Sequence, residues 1–184
     1  MSSFFYLLKL VKNCGIANKR LFLSIMLKNK ILLLSFLLCG LFAACEKAPP
    51  YDPEKQLELD AITIQKYKDS TRTTFTVDPS GLNYQITAEG TGTVFPKLED
   101  SLVVYFDARV LKSTASFQTI PETDSVTVKL ADAMKGWQIG LPKITKGGQI
   151  RLIIPSALAY KDFSGAKIPP FAILDYTITL KNIK

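Results

Sequence analysis

The sequence predicts an α+β domain, an antiparallel sheet folded over one short internal helix, set behind a hydrophobic leader. Three observations carry this expectation. Beyond Asp69 the apolar residues recur with a period of two in several separate runs, the mark of strands. One of those runs, 101–111, is apolar on both faces, as a central strand must be. Among them only 131–141 is compatible with a helix, and Gly136 and Gly140 keep that helix short.

The first element ahead of the strands is a longer helix. Asp52-Pro53-Glu54 supplies a side chain able to accept from an orphan N–H, a proline suited to the first helical position and an acid favoured by the dipole. Leu57, Ala61, Ile64 and Lys68 recur at i, i+4 and i+7 with Tyr67 beside them, which predicts a helix to about Lys68 whose stripe packs on the domain. Strands are expected at 73–77 and 82–88, separated by the turn residues Asp78-Pro79-Ser80-Gly81. In 101–111, Leu102, Val104, Phe106, Ala108 and Val110 share one face, and Val103, Tyr105 and Leu111 lie opposite. Further strands are expected at 125–130 and 149–154, the latter ended by Pro155. The last strand alternates most cleanly, with Leu174, Tyr176, Ile178 and Leu180 facing one way and Asp175, Thr177, Thr179 and Lys181 the other.

Residues 26–45 read as a secretory signal: a basic start, an apolar run over 31–44, and small residues before Cys45. The ending Leu41-Phe42-Ala43-Ala44-Cys45 resembles a bacterial lipobox, which makes Cys45 the candidate lipidated residue, although Phe42 departs from the usual leucine-like position. An uncleaved anchor is the competing reading, because the run is close to the ~18 residues that span a bilayer. The Ala-Ala-Cys junction is a specific stop that an anchor does not need. The first twenty-five residues are either an extended basic region or lie ahead of a true start at Met26. The expected organisation is a leader over 1–44, a lipidated cysteine with tether and short helix over 45–69, and the folded domain over 70–184.

Charge and composition exclude several functions. Of 23 basic residues, Lys9, Lys12, Lys19, Arg20, Lys28 and Lys30 precede Cys45, where there is no acid, so the remaining 17 face 16 acids on a near-neutral domain. Such a surface gives no electrostatic reason to bind nucleic acid. The absence of histidine rules out a Ser-His-Asp triad, a Cys-His pair and any His-containing zinc site. Cys14, Cys39 and Cys45 all lie in or at the end of the leader, so the domain holds neither an internal disulfide nor a thiolate cluster. No cofactor or metal is expected.

Five motifs then occur in order: Pro79-Ser80-Gly81-Leu82-Asn83-Tyr84-Gln85-Ile86 with Glu89-Gly90-Thr91-Gly92, then Val103-Val104-Tyr105, Lys135-Gly136-Trp137-Gln138-Ile139-Gly140-Leu141, Ile154-Pro155-Ser156-Ala157-Leu158-Ala159-Tyr160, and Ile168-Pro169-Pro170-Phe171-Ala172-Ile173-Leu174. In this order and spacing they resemble FKBP-type peptidyl-prolyl cis/trans isomerases of the bacterial lipoprotein, Mip-like, kind, from Asp78 to the C-terminus. The resemblance implies a five-stranded antiparallel half-barrel wrapped around the short helix, with an aromatic pocket between them. It implies Trp137 as the floor, Tyr105, Phe117 and Tyr176 as walls, and Tyr160 as donor to a substrate carbonyl. Ala133, Met134, Ile168 and Gln118 would contact substrate, with the Met134 N–H holding the peptide. For each aromatic, plain core packing is the alternative, and Met134 is equally a gap-filler.

The implied chemistry needs no proton transfer and no nucleophile. Rotation about X-Pro is slow because amide conjugation, a barrier of about 18–20 kcal/mol, must be broken. A dry aromatic site that favours the twisted amide lowers that barrier by binding the transition state more tightly than the ground state. The sequence departs from the family at Phe117-Gln118, where Phe-Asp is usual, at Asp107, where glycine usually follows the pocket tyrosine, and at Lys161, where a glycine follows Leu-Ala-Tyr. The expected protein is a monomeric isomerase, tethered by lipid to the cell envelope of a Gram-negative bacterium, acting on proline-containing segments of exported proteins. A low-turnover FKBP-like lipoprotein that grips such segments as a chaperone or assembly factor is the alternative.

Overall fold

The computed structural model describes residues 51–184. The expected leader over 1–44 and the lipidation candidate Cys45 lie outside the described residues. Helix α1 spans Pro53–Thr71. Asp52 caps it, its side chain accepting from the N–H groups of Glu54 and Lys55 at 3.1 and 3.2 Å. Arg72 closes it in the left-handed region (φ 53°) and donates its N–H to the Lys68 carbonyl. The buried arc is centred on Asp60 and Ile64, flanked by half-buried Leu57 and Tyr67. Ala61, expected on the stripe, is exposed because it falls just past the edge of that arc.

The strands are β1 (Thr76–Val77), β2 (Asn83–Ala88), β3 (Ser101–Val110), β4 (Ser116–Ile120), β5 (Val126–Lys129), β6 (Gln149–Ile154) and β7 (Leu174–Ile183), with helix α2 (Lys135–Gly140) between β5 and β6. All pairings are antiparallel, in the order β1-β2-β6-β7-β3-β4, with β5 also on β3. The family resemblance implies five strands and the alternation six; seven form, and two features account for the excess over five. β4 and β5 share one lane, β4 on residues 106–109 of β3 and β5 on residues 101–104, and the lane breaks at Pro121 and a 3₁₀ turn over Glu122–Asp124. β1 is a two-residue addition at the far edge.

The period of two sends neighbouring residues to opposite covers. Leu152 and Ile154 of β6 and Leu174, Tyr176, Ile178 and Leu180 of β7 join a large core with Trp137 of α2. Ile153 joins Ile64 of α1, Leu111 and Ile173 in a second, smaller cluster on the other face. Asp175, on the face of β7 opposite Leu174 and Tyr176 as expected, is only 6% exposed. Arg151 covers it, with Nε donating to Oδ1 at 2.9 Å and Nη2 to Oδ2 at 2.7 Å, and Nη2 also donates to the Tyr67 hydroxyl at 2.7 Å. A bidentate pair of this kind satisfies the buried carboxylate.

α2 sits close to β6 because two of its residues lack side chains. A Cβ on Gly140 would lie 2.7 Å from Leu152 Cδ2, and one on Gly136 would land on Ile154 Cγ2. This approach sets the depth of Trp137.

Candidate active site

The α2 face carries a cluster of rings. Trp137 lies 5.3 Å from Phe106 at 82° and 5.5 Å from Tyr176 at 90°, while Phe117 meets Tyr176 at 6.0 Å and 81°. These edge-to-face contacts use the positive edge of one ring against the negative face of the next. Trp137, Phe106 and Tyr176 are 5, 7 and 1% exposed, so they form a closed floor. The indole Nε1 is buried and meets no hydrogen-bond partner among the described residues.

Half-buried Phe117, Ala133, Met134 and Ile168 pack against the large core to which those rings belong, Phe117 meeting Tyr176 directly. Phe117 reaches it through a bulge: Gln118 pairs with Ala108 and Ser116 with Arg109, leaving Phe117 as the extra residue. Gln118 is exposed, on the same side of the sheet as Ala108. Gln138 Nε2 donates to the Ala131 and Ala133 carbonyls at 2.8 Å each, fixing the approach to α2. Among the described residues no acceptor takes the Met134 N–H.

Tyr160 stands at the edge, 37% exposed, with its ring 6.3 Å from that of Phe163. Its loop leaves β6 through Pro155 and a 3₁₀ turn over Ser156–Leu158. The Ser156 carbonyl accepts from Ala159 N at 3.0 Å and Lys161 N at 2.8 Å. Lys161 has φ 58°, so the position where the family's glycine was expected does take the left-handed region, at a strain a lysine carries less well. Burial pushes the Tyr176 hydroxyl pKa up, and the neighbouring Tyr160 adds to that rise.

Tyr105 is the correction. It pairs with Thr179 on the side of β3 opposite Leu102, Val104, Phe106 and Ala108, so it cannot be a wall of the ring cluster. Phe106 occupies that place, and the alternation along β3 was the available signal: a match shifted by one residue reverses the face. Asp107 also points away from the rings. Burial works to raise its pKa, but hydrogen bonds from Ser116, Thr119 and Arg109 outweigh this and lower it. Its charge therefore serves the β3–β4 pairing and does not replace the acid missing at Gln118.

A groove of about 330 Å³ lies elsewhere, between α1 and residues 169–173. Among the described residues no group of three His, Cys, Asp or Glu side chains converges as a metal site.

Residues 92–181 match the family model of FKBP-type peptidyl-prolyl cis-trans isomerases. The sequence is 31% identical over 105 residues to the FKBP-type peptidyl-prolyl cis-trans isomerase FkpA of Escherichia coli K12, covering 57% of this chain and 38% of that protein. It is 30% identical over 110 residues to FK506-binding protein 1 of Debaryomyces hansenii, covering 57% of this chain and 96% of that protein. The crystal structure of FkpA from Escherichia coli superimposes with a TM-score of 0.61 at 27% identity, over 72% of this chain and 62% of that one. The chain thus spans less than half the length of the curated FkpA protein and nearly all of the Debaryomyces protein.

Proposed function

The chain belongs to the FKBP-type peptidyl-prolyl cis-trans isomerase family, and from that premise we propose that it interconverts the cis and trans forms of X-Pro bonds in polypeptides. The observation that carries the reading is the cluster of Trp137, Phe106 and Tyr176, with half-buried Phe117, Met134 and Ile168 packed on the same core, which supports a ring-lined floor for a prolyl side chain. A prolyl ring set on such a floor is removed from water, and a twisted amide, whose charge separation is reduced, is favoured there over the planar one. The exposed Tyr160 hydroxyl is the candidate donor to the substrate carbonyl, and the unbonded Met134 N–H the candidate hold on the peptide backbone.

Gln118 and the strained Lys161 favour a second reading, in which the domain binds proline-containing segments with little turnover. Asp107 faces away and Gln118 is neutral, so neither brings a carboxylate to the rings. Isomerisation of a short X-Pro peptide by the full chain, run beside binding of a proline-mimicking macrolide, separates the two. Turnover with binding supports the isomerase, binding without turnover supports the second reading, and neither removes the site.

We also propose that the protein is a monomer, lipidated at Cys45 and held to the envelope of a Gram-negative bacterium, where it assists the folding of exported proteins. The apolar run over 31–44 and the Ala-Ala-Cys junction support this. A Cys45→Ser variant should stay as unprocessed precursor; its release as a cleaved soluble protein would count against lipidation.

A further inference from the structure

We infer that Asp60 of α1 is a positioning residue for Tyr160, so that a helix lying ahead of the matched region 92–181 is a working part of the site; this rests on the isomerase reading above. Asp60 is 3% exposed. Its Oδ2 accepts from both Ser156 N at 2.7 Å and Ser156 Oγ at 2.6 Å, and its Oδ1 accepts from Gln56 Nε2 at 2.8 Å. A carboxylate buried this deeply is costly unless it is well bonded, and here every donor is neutral. The two shortest bonds converge on one residue 96 positions away, itself fully buried.

That residue is the hub of the Tyr160 loop. The backbone of Ser156 gives its N–H to Asp60, and the carbonyl of the same residue takes the N–H groups on either side of Tyr160, from Ala159 and Lys161. The Lys161 carbonyl in turn accepts from Phe171 N at 3.0 Å. The loop needs such a hold, because Ala159 (φ −114°, ψ −117°) and Lys161 (φ 58°) both sit outside the regions an unsupported chain favours. Asp60 therefore fixes the turn, and the turn fixes where the Tyr160 hydroxyl stands beside that of Tyr176. The stretch of α1 from Pro53 to Asp60 thus does more than precede the sheet.

The test compares the full chain with Asp60→Asn, Tyr160→Phe and the double variant. The Asp60→Asn change keeps the side-chain shape but leaves one acceptor oxygen where two were bonded. Peptide isomerisation is expected to fall about tenfold in Asp60→Asn, the scale of a misplaced catalytic group, and to fall little further when Tyr160→Phe is added. Amide hydrogen exchange at Ala159 and Lys161 is expected to quicken about tenfold or more in Asp60→Asn, with Ile150 and Leu152 unchanged. Additive losses in the double variant, or unchanged exchange at Ala159 and Lys161, would overturn the inference. Should Asp60→Asn fail to fold, Ser156→Ala removes one of the two Ser156 bonds and keeps the other, and the same pair of measurements applies. If the wild type shows no turnover at all, the isomerase reading fails by itself; the exchange measurement still decides whether Asp60 holds the loop.

Discussion

The two faces of this sheet are built from the same strands with opposite chemistry. On the α2 face, packing is apolar and aromatic, with Trp137, Phe106 and Tyr176 meeting edge to face or tilted. On the α1 face, the helix is held by directional polar contacts, Asp60 to Ser156 and Arg151 to Asp175 and Tyr67, around a small cluster at Ile64 and Ile153. Dispersion and burial tolerate substitution of similar shape. Buried polar groups do not, and in exchange they specify one docking geometry for the helix. One face is made of rings, and the face that holds one helix in one place is made of directed bonds.

The largest expected break in this contrast is Trp137→Ala, which should cost about 3–5 kcal/mol in urea unfolding through the cavity it leaves, and abolish isomerisation with it. Arg151→Met comes next: leaving Asp175 buried without its partner should cost about 2–3 kcal/mol. Adding Asp175→Leu should recover much of that loss if the pair specifies position more than it stabilises, and no recovery would show that the pair is net stabilising. Tyr160→Phe should reduce turnover about fivefold to tenfold for one lost hydrogen bond and leave the unfolding midpoint unchanged. An altered midpoint would place the hydroxyl in the fold instead of the chemistry.

The smallest expected effect is on pH. Asp78, in the turn before β2, is held at about 2 chiefly by a hydrogen bond from Lys143, helped by Ser80. Its contribution to stability is present above the ordinary carboxylate value of about 3.9 and disappears as pH falls through about 2. Asp78→Asn should flatten the stability profile over that window, and a profile identical to wild type would remove Lys143 from the account.

Much of this was legible in advance. The N-cap at Asp52, the turn at 78–81, the short helix limited by Gly136 and Gly140, and the inner face of β7 all follow from local rules that tertiary structure left intact. The face of Tyr105 was legible too, since the alternation along β3 placed it opposite Phe106 while the motif match drew it to the rings. β4 was not: it pairs with β3 across a loop, and the bulge at Phe117 interrupts its alternation. Asp60 and Asp175 were unreadable for a deeper reason. In sequence a carboxylate signals solvent, and only the distant Ser156 and Arg151 make burial tolerable.

Two hydrogens govern the site as firmly as its rings do. Because Gly136 and Gly140 let α2 settle against Ile154 and Leu152, a single methyl at either would act as a shim, lifting the whole indole without altering any aromatic residue. The indole thus has a dial independent of the rings around it, and a designer seeking to raise it would turn that dial from behind.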